Sequence, residues 1–127
     1  MTVNHIAMFV SDLEASKAFF ERYFGAVANS KYHNPKTGLQ TYFLSFDGAV
    51  RIELMYRPDC ISCDSTGCML GLAHIAFSVG SRERVDALTA QLEGDGFTVL
   101  SQPRTTGDGY YESLILDNDG NKIEITE

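Results

Sequence analysis

Apolar and polar residues alternate with two different periods along the first half of the chain. Residues 3–10 form a mostly apolar run between polar residues, which predicts a β-strand. Ser11 followed by Glu14 is a capping-box pattern and predicts the start of a helix. Gly25 suits the position just past the end of that helix. The apolar face of the helix would carry Leu13, Phe20 and Phe24.

The remaining apolar segments predict further strands and one more helix. In the first half, strands are predicted over 27–32, 40–46 and 49–56, with Asp47-Gly48 as the hairpin turn. In the second half, a strand at 73–79 precedes a helix near 82–94, whose apolar face carries Val85, Leu88 and Leu92. The last strands are predicted near 97–101, 110–117 and 121–126, with Asp119-Gly120 at the final turn.

The two halves resemble each other. His5-Ile6-Ala7 near the start corresponds to His74-Ile75-Ala76, and Ile52-Glu53 corresponds to Ile123-Glu124. The separations between His and Glu are 48 and 50 residues. Such a repeat predicts two copies of one supersecondary unit. We therefore expect an α+β fold in which two βαβββ modules form a cupped mixed sheet, with module one at about 2–56, a linker at 57–72 and module two at about 73–126.

Composition and charge narrow the class of protein. With 127 residues, 44% hydrophobic and 21% charged, the chain can form one domain, 2–126, with its own core. A net charge of −7 disfavours nucleic acid and anionic membrane surfaces as partners and favours a soluble protein. The partner that we expect is a small-molecule substrate. No apolar run reaches the ~18 residues of a membrane span, and no secretory signal pattern opens the chain. We therefore expect a cytoplasmic protein.

The repeated histidines and glutamates are the candidate chemistry. Two imidazoles and two carboxylates form a competent site for a divalent ion, and His5, Glu53, His74 and Glu124 would converge if the modules pack about a pseudo-twofold axis. Taken singly, a strand histidine is more often structural and a strand glutamate more often solvated. Repetition at equivalent places favours the metal site, with a vestigial, empty site as the alternative.

These residues resemble the vicinal-oxygen-chelate superfamily, which includes glyoxalase I, extradiol dioxygenases, fosfomycin-resistance enzymes and bleomycin-resistance proteins. The resemblance covers 2–126, and it is greatest to small bacterial proteins like glyoxalase I (lactoylglutathione lyase). These proteins share four features with this chain: a His near the start, a Glu at the end of module one, a His at the start of module two, and a Glu in a terminal Asp-Gly-x-x-Ile-Glu. The segment Pro103–Glu112 is similar to that of a subgroup of small glyoxalase-like proteins.

The resemblance implies a metal-dependent lyase or isomerase that acts on a thiol adduct of a 2-oxoaldehyde or a related substrate. It implies one divalent ion per site, with Zn²⁺, Ni²⁺ or Co²⁺ favoured, and Glu124 as first choice for the catalytic base and Glu53 as second. A homodimer whose sites combine modules of both chains is also implied, and pairing of the two modules within one chain, as a monomer or a looser dimer, is the alternative. The alternatives are a dioxygenase or fosfomycin-type thiol transferase, which normally use two His and one Glu, and a drug-sequestering protein of the bleomycin-resistance kind.

Candidate substrate contacts differ from those of glyoxalase I. Phe9 stands where the resemblance implies a glutathione-binding arginine, and Arg57 stands where it implies an asparagine. Arg57 could clamp a substrate carboxylate or phosphate, or could be a solvated surface residue. Tyr110 could orient a substrate or pack at an edge. The metal ligands therefore match glyoxalase I, whereas the glutathione contacts do not.

Three cysteines, Cys60, Cys63 and Cys68, lie in the predicted linker with C-x2-C-x4-C spacing. A structural zinc site normally needs four ligands. Reduced thiols in a loop are therefore the favoured interpretation, and an accessory metal or redox role is the alternative.

Overall fold

A computed structural model describes residues 1–61 and 71–127 of the chain. The chain divides into two compact units, Met1–Asp64 and Ser65–Glu127, and the boundary between them falls within the predicted linker. The first unit contains β1 (His5–Phe9), α1 (Leu13–Phe24), β2 (Val27–Ala28), β3 (Tyr32–His33), β4 (Gln40–Ser45) and β5 (Arg51–Tyr56). The second contains β6 (Ile75–Ser78), α2 (Arg82–Gly94), β7 (Val99–Thr105), β8 (Tyr111–Leu116) and β9 (Lys122–Thr126).

Each unit has its own mixed sheet, and the two sheets share one topology. In the first unit the strand order is β1-β5-β4-β2, and β3 also pairs with β4. In the second it is β6-β9-β8-β7. The first and last strands of each unit pair in parallel, whereas the other pairings are antiparallel. The predicted α+β class and the repeated βαβββ order are therefore confirmed.

The strand predicted over 27–32 is two short strands instead of one. Asn29, just after β2, uses its side-chain oxygen to accept a hydrogen bond of 2.7 Å from the backbone N–H of Phe43, and its own N–H donates to the carbonyl of Phe43. An asparagine side chain that takes a backbone donor in this way interrupts a regular strand. The pairing with β4 resumes at Tyr32, and the exposed His33 lies in this second short strand.

The start of α1 also differs by one residue from the prediction. The N-cap is Asp12 instead of Ser11, and its carboxylate accepts a hydrogen bond of 2.9 Å from the N–H of Ala15. An aspartate caps as well as a serine and adds negative charge at the positive end of the helix. Glu14 does not complete a capping box, because its carboxylate binds Lys31 and the hydroxyl of Tyr42. The helix ends at Gly25 as expected, in the left-handed conformation with φ of 66°.

The strand predicted at 97–101 extends from Val99 to Thr105 and includes Pro103. It lies at the edge of its sheet, where a proline without an N–H is tolerated. Register shifts on both sides of Ser101 show that its pairing with β8 is irregular.

The core of each unit lies between its helix and one face of its sheet. In β5 the buried residues are Ile52 and Leu54, and in β9 they are Ile123 and Ile125. Because side chains alternate across a strand, Glu53 and Glu124 must point to the face away from the helix. This alternation positions the candidate site. Within the described ranges, no helix combines the length and the apolar character that crossing a bilayer would demand.

Candidate metal centre

The parallel pairing of first and last strands brings one histidine beside one glutamate in each unit. In the first unit Ala7 lies opposite Glu53, and His5 is two residues before Ala7 on the same face. In the second unit Ala76 lies opposite Glu124, and His74 is two residues before Ala76. The repeat in the sequence therefore corresponds to a repeat in strand register.

The two pairs have similar geometry. The Nε2 atom of His5 lies 3.6 Å from an oxygen of Glu53, and that of His74 lies 3.3 Å from an oxygen of Glu124. The histidine side chains are 38% and 41% exposed, and the glutamates are 17% and 16% exposed. Each imidazole thus faces its carboxylate at a site open to solvent.

These distances fit a shared metal ion. With metal–nitrogen and metal–oxygen bonds of about 2.0–2.2 Å and an angle between 90° and the tetrahedral value, two ligand atoms lie about 3.0–3.4 Å apart. The observed separations are within a few tenths of an ångström of this range. Each pair could therefore provide two adjacent ligands to one metal ion with little movement of the side chains.

Each unit contributes one such pair by itself. Among residues 1–61 and 71–127, no group of three or more His, Cys, Asp or Glu side chains forms a metal-binding cluster. The convergence of His5 and Glu53 with His74 and Glu124 on one ion therefore stays a prediction.

A group of side chains surrounds His5 on its strand face. Its Nδ1 atom lies 2.9 Å from Oδ1 of Asn4, and the same oxygen accepts a hydrogen bond of 2.8 Å from the guanidinium of Arg51. The ring of Phe43 meets the imidazole edge to face, with centroids 5.2 Å apart. Arg51 also lies over Phe43, 4.6 Å from its centroid. The imidazole is therefore contacted both by the side chain of Asn4 and by the ring of Phe43.

Glu112 is a site residue to which the sequence analysis assigned no role. It lies two residues before Leu114, which is opposite Glu124, so Glu112 and Glu124 share a face. Burial raises the pKa of Glu112, and the negative charges of Glu124 and Asp108 raise it further, whereas the positive charge of Arg104 lowers it. The alternation of side chains in the predicted strand 110–117 could have indicated that Glu112 lies on the same face as Leu114.

The predicted substrate residues have different surroundings. Phe9 ends β1 on the face of His5 and is 50% exposed. Arg57 follows β5 and donates to both carboxylate oxygens of Asp59, at 2.9 and 2.5 Å. Tyr110 is exposed just before β8, whereas the neighbouring Tyr111 donates a hydrogen bond of 2.7 Å to Asp86 of α2. Phe9 and Tyr110 are thus open to a ligand, and Arg57 already has an acidic partner.

Of the three cysteines in the predicted linker, the structure describes one. Cys60 is a free, exposed thiol. Cys63 and Cys68 lie outside the described residues.

Comparison with known proteins agrees with this architecture. Residues 2–125 match the Glyoxalase/Bleomycin resistance protein/Dioxygenase superfamily. The glutathione transferase FosA of Serratia marcescens is 30% identical over 127 residues, which cover 98% of this chain and 79% of FosA. The uncharacterized protein YqjT of Bacillus subtilis (strain 168) is 29% identical over 126 residues, covering 97% of this chain and 96% of YqjT.

Among solved structures, a glyoxalase family protein from Enterococcus faecalis superposes with a TM-score of 0.81 and 25% identity. The superposition covers 99% of this chain and 97% of the other. The family match extends over nearly the whole chain and includes both βαβββ units. The chain therefore belongs to the Glyoxalase/Bleomycin resistance protein/Dioxygenase superfamily.

Proposed function

We propose that this protein is a metal-dependent lyase or isomerase of the glyoxalase I kind, which acts on a thiol adduct of a 2-oxoaldehyde or a related substrate with vicinal oxygens. One observation carries the proposal: the same His–Glu pair occurs in both units at the same strand register, with Nε2 to carboxylate distances of 3.6 and 3.3 Å. If the two glutamates were only solvated surface residues, nothing would favour a histidine beside each of them at the same register.

The ligand set would be His5, Glu53, His74 and Glu124, which is suited to Zn²⁺, Ni²⁺ or Co²⁺. A bound divalent ion would supply stabilisation of the negative charge that develops on two adjacent substrate oxygens. The protein's own task is then to move one proton between neighbouring carbons. A carboxylate within hydrogen-bond reach of that proton can do this, and we assign the role first to Glu124 and second to Glu53.

The second candidate function is thiol transfer of the fosfomycin-resistance type. It is favoured by the 30% identity to a glutathione transferase over 98% of this chain. The two functions differ in whether Glu53 is a metal ligand. A set of two histidines and one glutamate leaves more coordination positions open, whereas a fourth ligand from Glu53 favours the proton-transfer reaction.

Metal binding is the first test. We expect purified protein to bind about one divalent ion for each chain, and His74→Ala to abolish tight binding because it removes one of the two nitrogen ligands. The matched control is His33→Ala, which removes the third histidine of the chain, an exposed residue of β3. Elemental analysis and calorimetric titration with Zn²⁺ and Co²⁺ would measure both. Full metal content in His74→Ala would refute the ligand assignment.

The second test separates the two carboxylates. Glu124→Gln keeps an oxygen ligand but cannot accept the proton at a useful pKa, so kcat should fall about 100-fold or more while most of the metal is retained. The assay is metal-loaded protein with methylglyoxal and several thiols, and separately with fosfomycin and the same thiols. An active Glu124→Gln beside an inactive Glu53→Gln would reverse the two roles.

The thiol screen has an expected order. Phe9 offers no charge to a glutathione carboxylate, and Arg57 is engaged by Asp59. We therefore expect the glutathione adduct to be a poor substrate compared with adducts of other thiols. A kcat/KM of about 10⁵ M⁻¹s⁻¹ or more with glutathione would show that these two positions do not control the choice of thiol. Turnover of fosfomycin alone would favour the second candidate function.

A further inference from the structure

We infer that Asn4, held in place by Arg51, is a positioning residue that fixes the imidazole of His5 in the tautomer with the proton on Nδ1. This inference rests on the proposed function only where it concerns metal affinity, since the tautomer itself is a property of the metal-free protein. The observation behind it is that one oxygen, Oδ1 of Asn4, lies within hydrogen-bond distance of both Arg51 and His5.

The contact with Arg51 sets the orientation of the Asn4 amide. An arginine guanidinium carries only donors, so the atom of Asn4 that lies 2.8 Å from Arg51 must be the acceptor oxygen and not the nitrogen. The guanidinium lies over the ring of Phe43, and the backbone N–H of Arg51 donates to the carbonyl of Asn4 at 3.2 Å, which keeps the two residues side by side. The amide of Asn4 therefore has one preferred orientation.

The orientation of the Asn4 amide determines which nitrogen of His5 carries the proton. An amide oxygen can only accept, so the Nδ1 atom of His5, 2.9 Å away, must carry the hydrogen. In a neutral imidazole the other nitrogen then has a free lone pair. That nitrogen, Nε2, is the atom that faces Glu53. The contacts of Asn4 thus leave the lone pair of Nε2 free to bind a metal ion on the side of the imidazole that faces Glu53.

In the second unit, other residues stand at the positions equivalent to Asn4, Arg51 and Phe43. The residue before His74 is Ala73, which has no side-chain acceptor. Lys122 takes the place of Arg51 two residues before the strand glutamate, and Leu114 takes the place of Phe43 opposite that glutamate. The repeat therefore keeps the candidate ligands, whereas different residues stand at the positions equivalent to Asn4, Arg51 and Phe43. Hydrogen-bonding partners behind a metal-bound histidine typically change metal affinity by about 10–100-fold.

Histidine-labelled, metal-free protein and nitrogen NMR provide the direct test. The wild-type His5 should show the Nδ1-protonated tautomer, and Asn4→Ala should lose that preference. Asn4→Asp should retain it, because a carboxylate also accepts from both His5 and Arg51. A wild-type His5 protonated mainly at Nε2, or an unchanged tautomer in Asn4→Ala, would overturn the inference whether or not the protein binds metal.

Competition titration with Co²⁺ provides the second readout. Asn4→Ala should bind Co²⁺ at least about 10-fold more weakly than wild type, and Asn4→Asp should restore the affinity. Arg51→Met should also weaken binding, whereas its counterpart Lys122→Met should not. Both of these variants remove one positive charge beside a candidate ligand, so a purely electrostatic effect would strengthen binding in both. Equal behaviour of the Arg51 and Lys122 variants would refute the positioning role.

Discussion

At the scale of single residues, Asp117 determines how the last strand begins. Its carboxylate accepts hydrogen bonds from the N–H groups of Asp119 and Asn121 and from the side-chain amide of Asn121, at 2.8–2.9 Å. The residue is only 8% exposed, and burial raises its pKa despite these hydrogen bonds. The turn that leads to Glu124 is therefore built on a carboxyl group that resists ionisation.

This raised pKa predicts a pH dependence of stability. A carboxyl group whose pKa is higher in the folded than in the unfolded protein stabilises the fold below its unfolded pKa of about 3.9. That contribution is lost as the pH rises through the folded pKa. Asp117→Asn cannot titrate, so the advantage of wild type over this variant should shrink as the pH rises from 3 to 7. Urea unfolding at several pH values would measure it, and a constant difference in unfolding free energy would contradict it.

At the scale of elements, the cap of α1 makes a second prediction. Asp12→Ala removes the acceptor for the N–H of Ala15 and should lower the free energy of unfolding by about 1 kcal/mol. Ser11→Ala leaves that hydrogen bond in place and should cost clearly less. Thermal or urea unfolding of both variants is the measurement. A larger loss for Ser11→Ala would restore Ser11 as the cap.

Much of the fold was predictable from the order and period of the apolar residues. Alternation in the segments of β5 and β9 identified both the strands and the face that carries Glu53 and Glu124. Two of the exceptions are places where a side chain takes part in backbone hydrogen bonding. The side chain of Asn29 interrupts a strand and Asp12 takes over a cap, and neither choice is decided by hydrophobic pattern alone.

The candidate site was predictable only as far as the repeat extends. His5 and Glu53 have counterparts in His74 and Glu124, so their equivalence was visible without a structure. Asn4 has no counterpart in the second unit. Its contact with Arg51 joins residues 47 positions apart in the sequence, and it depends on the register between β1 and β5. Such a contact carries no local sequence signal.

At the scale of the whole molecule, we predict a homodimer whose sites combine His5 and Glu53 of one chain with His74 and Glu124 of the partner. The linker at 57–72, about 15 residues long, exceeds the usual connection of about 4–6 residues. It would allow a module to pair with one from another chain. Closed twofold symmetry would then give two identical sites in each dimer.

Subunit complementation tests this arrangement. When His5→Ala and Glu124→Ala chains are mixed after reversible unfolding, each mixed dimer would contain one intact site and one doubly damaged site. Metal binding should then partly return. The control pairs His5→Ala with Glu53→Ala, which damages module one of both chains and should restore nothing. No recovery in the first mixture, despite proven subunit exchange, would rule out composite sites.

The pairing of the first strand of each unit with its last has a consequence for the order of folding. Among the described strands, β1 lies at the edge of the first sheet and pairs with β5, and β6 lies at the edge of the second sheet and pairs with β9. In a growing chain, Glu53 is therefore added 48 residues after His5. Closing such long loops is an entropic cost that local contacts do not repay until the last strand joins. We therefore expect each half of the candidate centre to be completed late in the folding of its unit, so that an ion held by the pair would stabilise the finished unit and not its precursors.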